Sequence, residues 1–424
     1  VDSSVASSGC LTATSTQATF INYATVTMNC RVAFVATWSN YGSLTVASGA
    51  LATFSRASLN VGSMVVVQSA SVTFAADICH GPGSEYNCGG STTIVNSTTI
   101  VSGSWNVDII IVTSGCVQFT VTASPIAFGA VVRLDAACLN TTAHNVTLPG
   151  SVTIGNGSTV ISGGGGRVEC NGSLAVNGST FDGCSSTFVI APGARATIGG
   201  AGLVVKCGHL LNQGTLEWVG GVIDLQANAT ITNDLTGVWT VSQAAQAITC
   251  GCRGSPATSP IINVGRITVT IVQTVTIEVR IINSGLVQIV QGATVALQQG
   301  CEQTHGGLHL GGGSVVTYVP IVNNYGSTIS GSGVVVGSIV NSGVIAPTGG
   351  NAGGKLVIDG DLHQHPTTAV LQFEIGGGVP VVDYNVISCT GSVTKGGWIQ
   401  VVLVNGYVPL ANSSLVYTVV TMTG

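Results

Sequence analysis

The sequence of 424 residues has very little charge. Eleven Lys plus Arg and 16 Asp plus Glu together make 6% of it, against roughly a quarter in an ordinary soluble domain. So few basic residues, spread singly, cannot build a phosphate-neutralising surface, and this excludes nucleic acid as a partner. The net charge of −5 is too small and diffuse to attract a polycation. Helix-forming Glu, Lys and Arg are too scarce for an outer layer of helices. Long apolar runs are missing too: pieces such as Val65-Val66-Val67 and Ile109-Ile110-Ile111-Val112 are soon interrupted, whereas a membrane-spanning helix needs about 20 apolar residues. Paired C-x-x-C motifs are absent, and Cys250-Gly-Cys252 is too tight for a zinc ribbon. The start, Val1-Asp2-Ser3-Ser4, has neither the basic nor the apolar part of a signal peptide and fits a chain already processed.

What is abundant is small and apolar. Apolar types reach 45% and glycine alone contributes 59 residues, which excludes a disordered chain. Thirteen cysteines without a metal-binding pattern are expected to be mostly disulfides, formed in an oxidising compartment. Eight N-x-S/T sequons, at Asn96, Asn140, Asn145, Asn156, Asn171, Asn177, Asn228 and Asn412, are compatible with N-glycans. The expected location is therefore extracellular, at a cell surface.

Apolar and polar residues alternate with period two, most clearly in Ile267-Thr-Val-Thr-Ile271 and from Val275 to Ile281. Such alternation describes strands buried on one face. Shorter copies are Ser43-Leu-Thr-Val46, Ser151-Val-Thr-Ile154 and Leu286-Val-Gln-Ile289. An apolar-Asn-x-Gly element recurs at Leu211-Asn212, Ile262-Asn263, Ile282-Asn283 and Val340-Asn341, with relatives at Asn40 and Asn324. The steps from Asn263 to Asn283 and from Asn324 to Asn341 define a loose repeat of roughly 20 residues, which fits one coil of a solenoid. The expected fold is all-β, a single elongated right-handed parallel β-helix of about 20 coils, by the strand spacing a rod near 100 Å long. Asn and Gly are expected at its corners, because both tolerate a left-handed backbone.

Stacked coils lie about 4.8 Å apart, within reach of a disulfide. Cys10 with Cys30, Cys116 with Cys138, and Cys184 with Cys207 are each spaced by about one coil, and Cys79 with Cys88 flank a Gly/Pro loop. An odd cysteine total leaves one thiol free or paired between chains. The rod is expected over 1–345, with loop insertions near 77–90, 249–260 and 299–313, and a C-terminal region of coils and cap over 346–424.

The C-terminal order runs from Asn341-Ser-Gly-Val-Ile-Ala-Pro347 through Gly354-Lys-Leu-Val-Ile-Asp-Gly360-Asp361 and Ala369-Val-Leu-Gln-Phe-Glu-Ile375. It continues through Asp383-Tyr-Asn-Val-Ile387 and Gly396-Gly-Trp-Ile-Gln-Val401 to Asn405-Gly-Tyr-Val-Pro409. From Asn341 onward the chain resembles the passenger regions of autotransporter and haemagglutinin-type adhesins, which implies a right-handed β-helix and a surface role. The cysteines and sequons depart from those passengers, which carry few cysteines, and suit a eukaryotic secretory version from a protist or alga. Tyr384-Asn385 stands where the family commonly has Tyr-Asp.

Candidate chemistry is sparse. Glycoside hydrolysis needs two carboxylates on one cleft; Glu217, Asp224 and the nearby Gln226 are the nearest approach. Asp359-x-Asp361-x-His363-x-His365 would put four potential metal ligands on one face of a strand, although neighbours nearly 7 Å apart let one ion reach two at most. His305 and His309 have the spacing of a helical zinc pair, but their glycine-rich surroundings point to a loop. Gly163–Gly166 and Gly199–Gly202 read as tight corners, not phosphate cradles. No catalytic residue, metal or cofactor is expected. The expected function is a non-enzymatic, disulfide-stapled structural glycoprotein whose partners are copies of itself or other filament subunits. The alternatives are a monomeric carbohydrate-binding adhesin and a polysaccharide lyase or hydrolase.

Overall fold

The computed structural model describes residues 5–422 apart from 7–11, 14–18, 36, 57, 68–69, 77, 81–84, 97, 103, 120–125, 142–143, 244–245, 252–258, 349–352 and 410–415. Among these residues there is no helix, and 61% of the chain is strand. The fold is a right-handed parallel β-solenoid, as the alternation and repeat imply. Two compact units comprise Val1–His209 and Leu210–Gly424. The coil number falls modestly short of the number expected. The reason is that several coils are longer than the asparagine repeat implies: Val238 pairs with Arg266, and Val370 with Trp398.

In the first unit, strand Thr25–Met28 pairs in parallel with Ser43–Val46, and that strand with Ser63–Val66. Every second residue turns inward. Met28, Val46 and Val66 therefore form one buried column, and Leu44 and Met64 belong to another. Register is fixed because a slip of one residue would place Thr27 and Thr45 in the core and these side chains in water. An aromatic column runs alongside. Phe34 and Phe54 stack at 4.9 Å, Phe54 and Phe74 at 5.6 Å, and Phe74 and Tyr86 at 6.0 Å. Tyr86 then stacks on Trp105 at 4.6 Å. All five are buried.

In the second unit, Ile267, Val287, Leu308, Ile329 and Ile345 fill one inward column, coil upon coil. The 299–313 stretch is no loop. Cys301–Gln303 and Gly307–Thr317 are strands within the ladder. Their glycines follow the coil below: a Cβ on Gly306 would lie 2.1 Å from the Gly285 carbonyl oxygen. Within 77–90, Ile78–His80 and Glu85–Val95 are likewise strands. Most of 249–260 lies outside the described residues.

Asn324 precedes a turn in which Gly326 has φ +84, as expected of a corner, but the other recurrent asparagines, and Asn323 in place of Asn324, do not sit at left-handed corners. Asn40, Asn60, Asn212, Asn233, Asn263, Asn283, Asn323 and Asn341 are fully buried, point inward and have no positive φ. In the second unit, Asn212 donates from Nδ2 to Oδ1 of Asn233 at 2.7 Å, Asn233 to Asn263 at 2.7 Å, and Asn263 to Asn283 at 2.6 Å. Asn283 continues to Oε1 of Gln303. Asn22, Asn40 and Asn60 form the same ladder in the first unit, both bonds 2.7 Å. An amide carries a donor and an acceptor on opposite sides, so stacked at strand spacing each satisfies the next.

The main chain uses the same residue twice. The N–H groups of Ser284 and Gly285 both donate to the Asn263 carbonyl, at 2.8 and 3.0 Å. This tight bend brings the following residue against the coil below. A Cβ on Gly285 would meet the Gly265 carbonyl oxygen at 2.0 Å. Gly is required here by close approach, not by a positive φ.

Replacing one rung tests the ladder. Asn263→Leu leaves the Asn283 acceptor unpaired and removes the shortest bond of the Asn233 amide, which keeps the Gly237 and Arg266 carbonyls. It should cost roughly 1–3 kcal/mol in urea unfolding, the scale of one buried unsatisfied group. A loss within about 0.5 kcal/mol, the scale of a neutral surface change, would show that the ladder contributes little.

Candidate functional site

Two expected disulfides form between adjacent coils. Cys116 and Cys138 are opposite each other in register with Cα atoms 4.3 Å apart, and Cys184 and Cys207 lie 4.5 Å apart. For the other two expected pairs, Cys10 and the side chain of Cys88 lie outside the described residues, while Cys30 and Cys79 are half-buried. Cys170, Cys301 and Cys389 are buried. Burial pushes the Cys301 thiol up to about 12, where no thiolate forms at neutral pH.

The carboxylates that might have shared a cleft stand on different strands. Glu217, on Thr215–Trp218, is opposite Thr240, and Asp224, on Val222–Gln226, is opposite Thr249. Asp224 accepts from the Thr249 hydroxyl at 2.8 Å and from the Gln226 amide at 2.6 Å. Both oxygens are thus engaged by neighbours on the ladder.

The Asp359–His365 set does not share one strand: Asp359 ends Lys355–Asp359, a bend at Gly360 follows, and His363 lies in Leu362–Gln364 of the second sheet. Each member meets a hydroxyl. Asp359 accepts from Thr390 at 2.7 Å, and Asp361 accepts from the Ser392 hydroxyl at 2.7 Å and its backbone N–H at 2.8 Å. His363 Nδ1 lies 3.1 Å from Thr394 Oγ1, while His365 Nδ1 lies 3.0 Å from Thr368 Oγ1. Asp359, Asp361 and His363 thus pair with the next coil in turn, and His365 with its own following turn, instead of converging on one point. No cluster of three potential metal ligands occurs among the described residues.

His309 lies in a strand, where it differs from the loop expected. Its Nδ1 is 3.1 Å from Ser330 Oγ, its register partner on the next coil. Gly164 and Gly165 have positive φ and make the tight corner their sequence implies. Gly199–Gly202 instead lie within the strand Arg195–Lys206.

Inside the second unit, an apolar void of about 30 Å³ lies among Trp218, Trp239, Ile267 and Val287. Apart from the two indoles and Cys301 its lining is aliphatic, so it offers the hydroxyl groups of a sugar few hydrogen-bond partners. The largest apolar exposure is at the last rungs. Strand Trp398–Leu403 pairs with Val370–Ile375, so Ile399, Val401 and Leu403 stack above buried Leu371, Phe373 and Ile375. All three are nevertheless half or more exposed, and Trp398 is 69% exposed. No helix among the described residues is long and apolar enough to cross a membrane.

Two features are missing from the expectations drawn from sequence. The even spacing of Phe34, Phe54 and Phe74, one repeat from each to the next, was the available signal for the aromatic column. The inward direction of the asparagines had none, since an apolar-Asn-x-Gly element reads equally well as a turn. No protein-family model matches the chain, and no curated protein sequence matches it.

Asp361 provides a pH test. The Ser392 hydroxyl and backbone N–H hold its carboxyl below the ordinary carboxylate range. A lowered pKa stabilises the fold above the unfolded value, about 3.9, and this contribution fades as pH falls through the folded pKa. Asp361→Asn should therefore unfold with a smaller loss of midpoint between neutral and acid pH than the parent. An identical acid profile would show that the bonds to Ser392 are energetically silent.

Proposed function

We propose that this chain is a non-enzymatic extracellular structural protein, a disulfide-stapled β-solenoid that serves as the subunit of a surface filament or fibril. The observation that carries the reading is the exposed apolar rung Trp398–Leu403. Among the described residues no strand pairs with its outer edge, and its inward residues continue the columns of the coil beneath. Such an edge is a template for another strand. A second copy added head to tail would bury these residues, and a contact of that kind propagates when it does not close on itself. A low surface charge does little to oppose it. Two inter-coil disulfides fit an oxidising, extracellular setting, and we assign the protein to a secreted, flagellar-hair-like class, with the autotransporter-like coils in a eukaryotic version.

Electron microscopy of the native material should show filaments, and Val401→Lys should shorten or abolish them while leaving the solenoid's circular dichroism unchanged. Only separate particles from the parent protein, across a range of concentrations, would defeat the filament reading.

A monomeric carbohydrate-binding adhesin is the second reading. Tyr23 and Tyr41, on neighbouring coils, stack at 5.1 Å with rings 14° from coplanar, and Tyr23 is 74% exposed. Flat exposed aromatic faces suit the apolar face of a sugar. On a glycan array, binding by the parent and at least tenfold weaker binding by Tyr23→Ala would favour this reading; no binding by the parent would remove it.

A further inference from the structure

Six of the eight sequon asparagines, Asn96, Asn145, Asn156, Asn171, Asn177 and Asn228, are exposed. Asn140 is half-buried on the strand Cys138–Asn140, beside fully buried Thr141. Asn412 lies outside the described residues. Exposure alone selects nothing, since many surface asparagines are exposed. Asn96 Oδ1 accepts from the Thr113 hydroxyl, a group that can rotate, whereas two of these side chains are held by a backbone N–H. The backbone N–H of Arg167 donates to Asn145 Oδ1 at 3.0 Å, and that of Ala201 donates to Asn177 Oδ1 at 3.1 Å. Both donors belong to the next coil.

A peptide N–H can only donate, so the atom it faces must be the amide oxygen. This settles which of the two terminal atoms of each amide is the oxygen and which is Nδ2. The next coil also makes room. A Cβ on Gly200, which has φ +53, would sit 1.9 Å from Asn177 Oδ1, so only glycine leaves space for this side chain. One coil earlier the arrangement recurs, where a Cβ on Gly178 would sit 2.5 Å from Asn156 Oδ1. Asn177 is at an outward position in the alternation of Ser173–Asp182, and Asn145 is followed by buried Val146 and exposed Thr147.

From this geometry we propose that Asn145 and Asn177 carry N-linked glycans, held on the solenoid by their amide oxygens. The donor class is an oligosaccharide linked through its C1 to a polyprenyl pyrophosphate. The Nδ2–C1 bond forms as the C1–O bond to pyrophosphate breaks. The lipid pyrophosphate leaves with the electron pair, and the amide proton passes to solvent. Transfer takes place on the chain before folding, because Ser179, the third residue of the Asn177 sequon, is buried in the folded protein with its hydroxyl bonded to the carbonyls of Ile154 and Gly155 at 2.9 and 2.8 Å. Both asparagines are exposed in the folded protein, so a glycan extends from the surface while the oxygen stays on its backbone donor.

This proposal rests on the secretory part of the reading above and not on filament formation. The native secreted protein, treated with peptide N-glycosidase in ¹⁸O water and digested, should show ¹⁸O-labelled aspartate at positions 145 and 177. Unmodified asparagine at both positions overturns the proposal, and in a protein that still forms filaments it overturns this proposal alone. Three variants separate the glycan from the hydrogen bond. Thr147→Ala removes one sequon and keeps Asn145, while Asn145→Asp and Asn177→Asp keep an acceptor oxygen for Arg167 and Ala201. Each, secreted from the same cells, should migrate one glycan step faster on a denaturing gel and unfold within a few degrees of the parent after enzymatic deglycosylation of both. Unchanged mobility of all three variants overturns the proposal.

Discussion

Where the asparagines recur, each coil must present the same backbone to the coil above that it received from the coil below, and the inward amide ladder is the interaction that reinforces this. Hydrophobic columns exclude a slip of one residue but tolerate smaller shifts, because aliphatic contact has no direction. A buried amide does have one. Asn263 reaches Asn283 and the Leu286 carbonyl with one nitrogen, and its own backbone carbonyl receives two N–H groups from the next bend. Such a rung is satisfied only when the coils are aligned, and misalignment would strand buried donors and acceptors at once. The ladder therefore contributes register as much as stability. Where Gln303 replaces Asn, its Nε2 meets Cys301 Sγ at 3.0 Å and Asn323 Oδ1 is left without a partner. There the side-chain ladder breaks, and backbone pairing, with the Asn324 N–H and the Ser327 hydroxyl on the Gln303 carbonyl, spans the gap.

Low charge follows from the same constraint. On a parallel solenoid each outward residue stands directly over its counterparts one coil away, so a charged column would repel itself about every 4.8 Å. Thr, Ser and Gln avoid that cost, and opposite charges pair within a coil at Arg133–Asp135 and Arg167–Glu169 and across coils at two other places. Lys206 pairs with Asp182 at 2.8 Å, and Arg280 pairs with Glu302. The two disulfides add a covalent version of the same stacking.

The polar residues whose spacing suggests chemistry are largely absorbed by this inter-coil pairing. Asp359, Asp361 and His363 each meet a hydroxyl 31 residues later, and Asp224 meets one 25 residues later. A solenoid turns sequence neighbours of alternating parity into a line along one strand and makes residues one coil apart into contacts. Spacing such as Asp-x-Asp-x-His thus signals a column edge more often than a convergent site. The surface features left with a distinct geometry are the exposed last rung and the oriented asparagines.

The period of alternation, the coil-length repeat and the spacings of Cys116 with Cys138 and Cys184 with Cys207 were sufficient on their own to determine a stacked all-β solenoid, since each is a one-dimensional pattern with one structural solution. The strands of 299–313, the inward turn of the asparagines and the glycines beneath carbonyl oxygens were decided only by the tertiary structure. These depend on what a side chain meets one coil away, and the number of residues in that coil varies with every insertion. In Asn263-Val264-Gly265 the letters allow a left-handed corner or a buried rung; the neighbouring coils, by supplying an amide partner on either side, leave only the second.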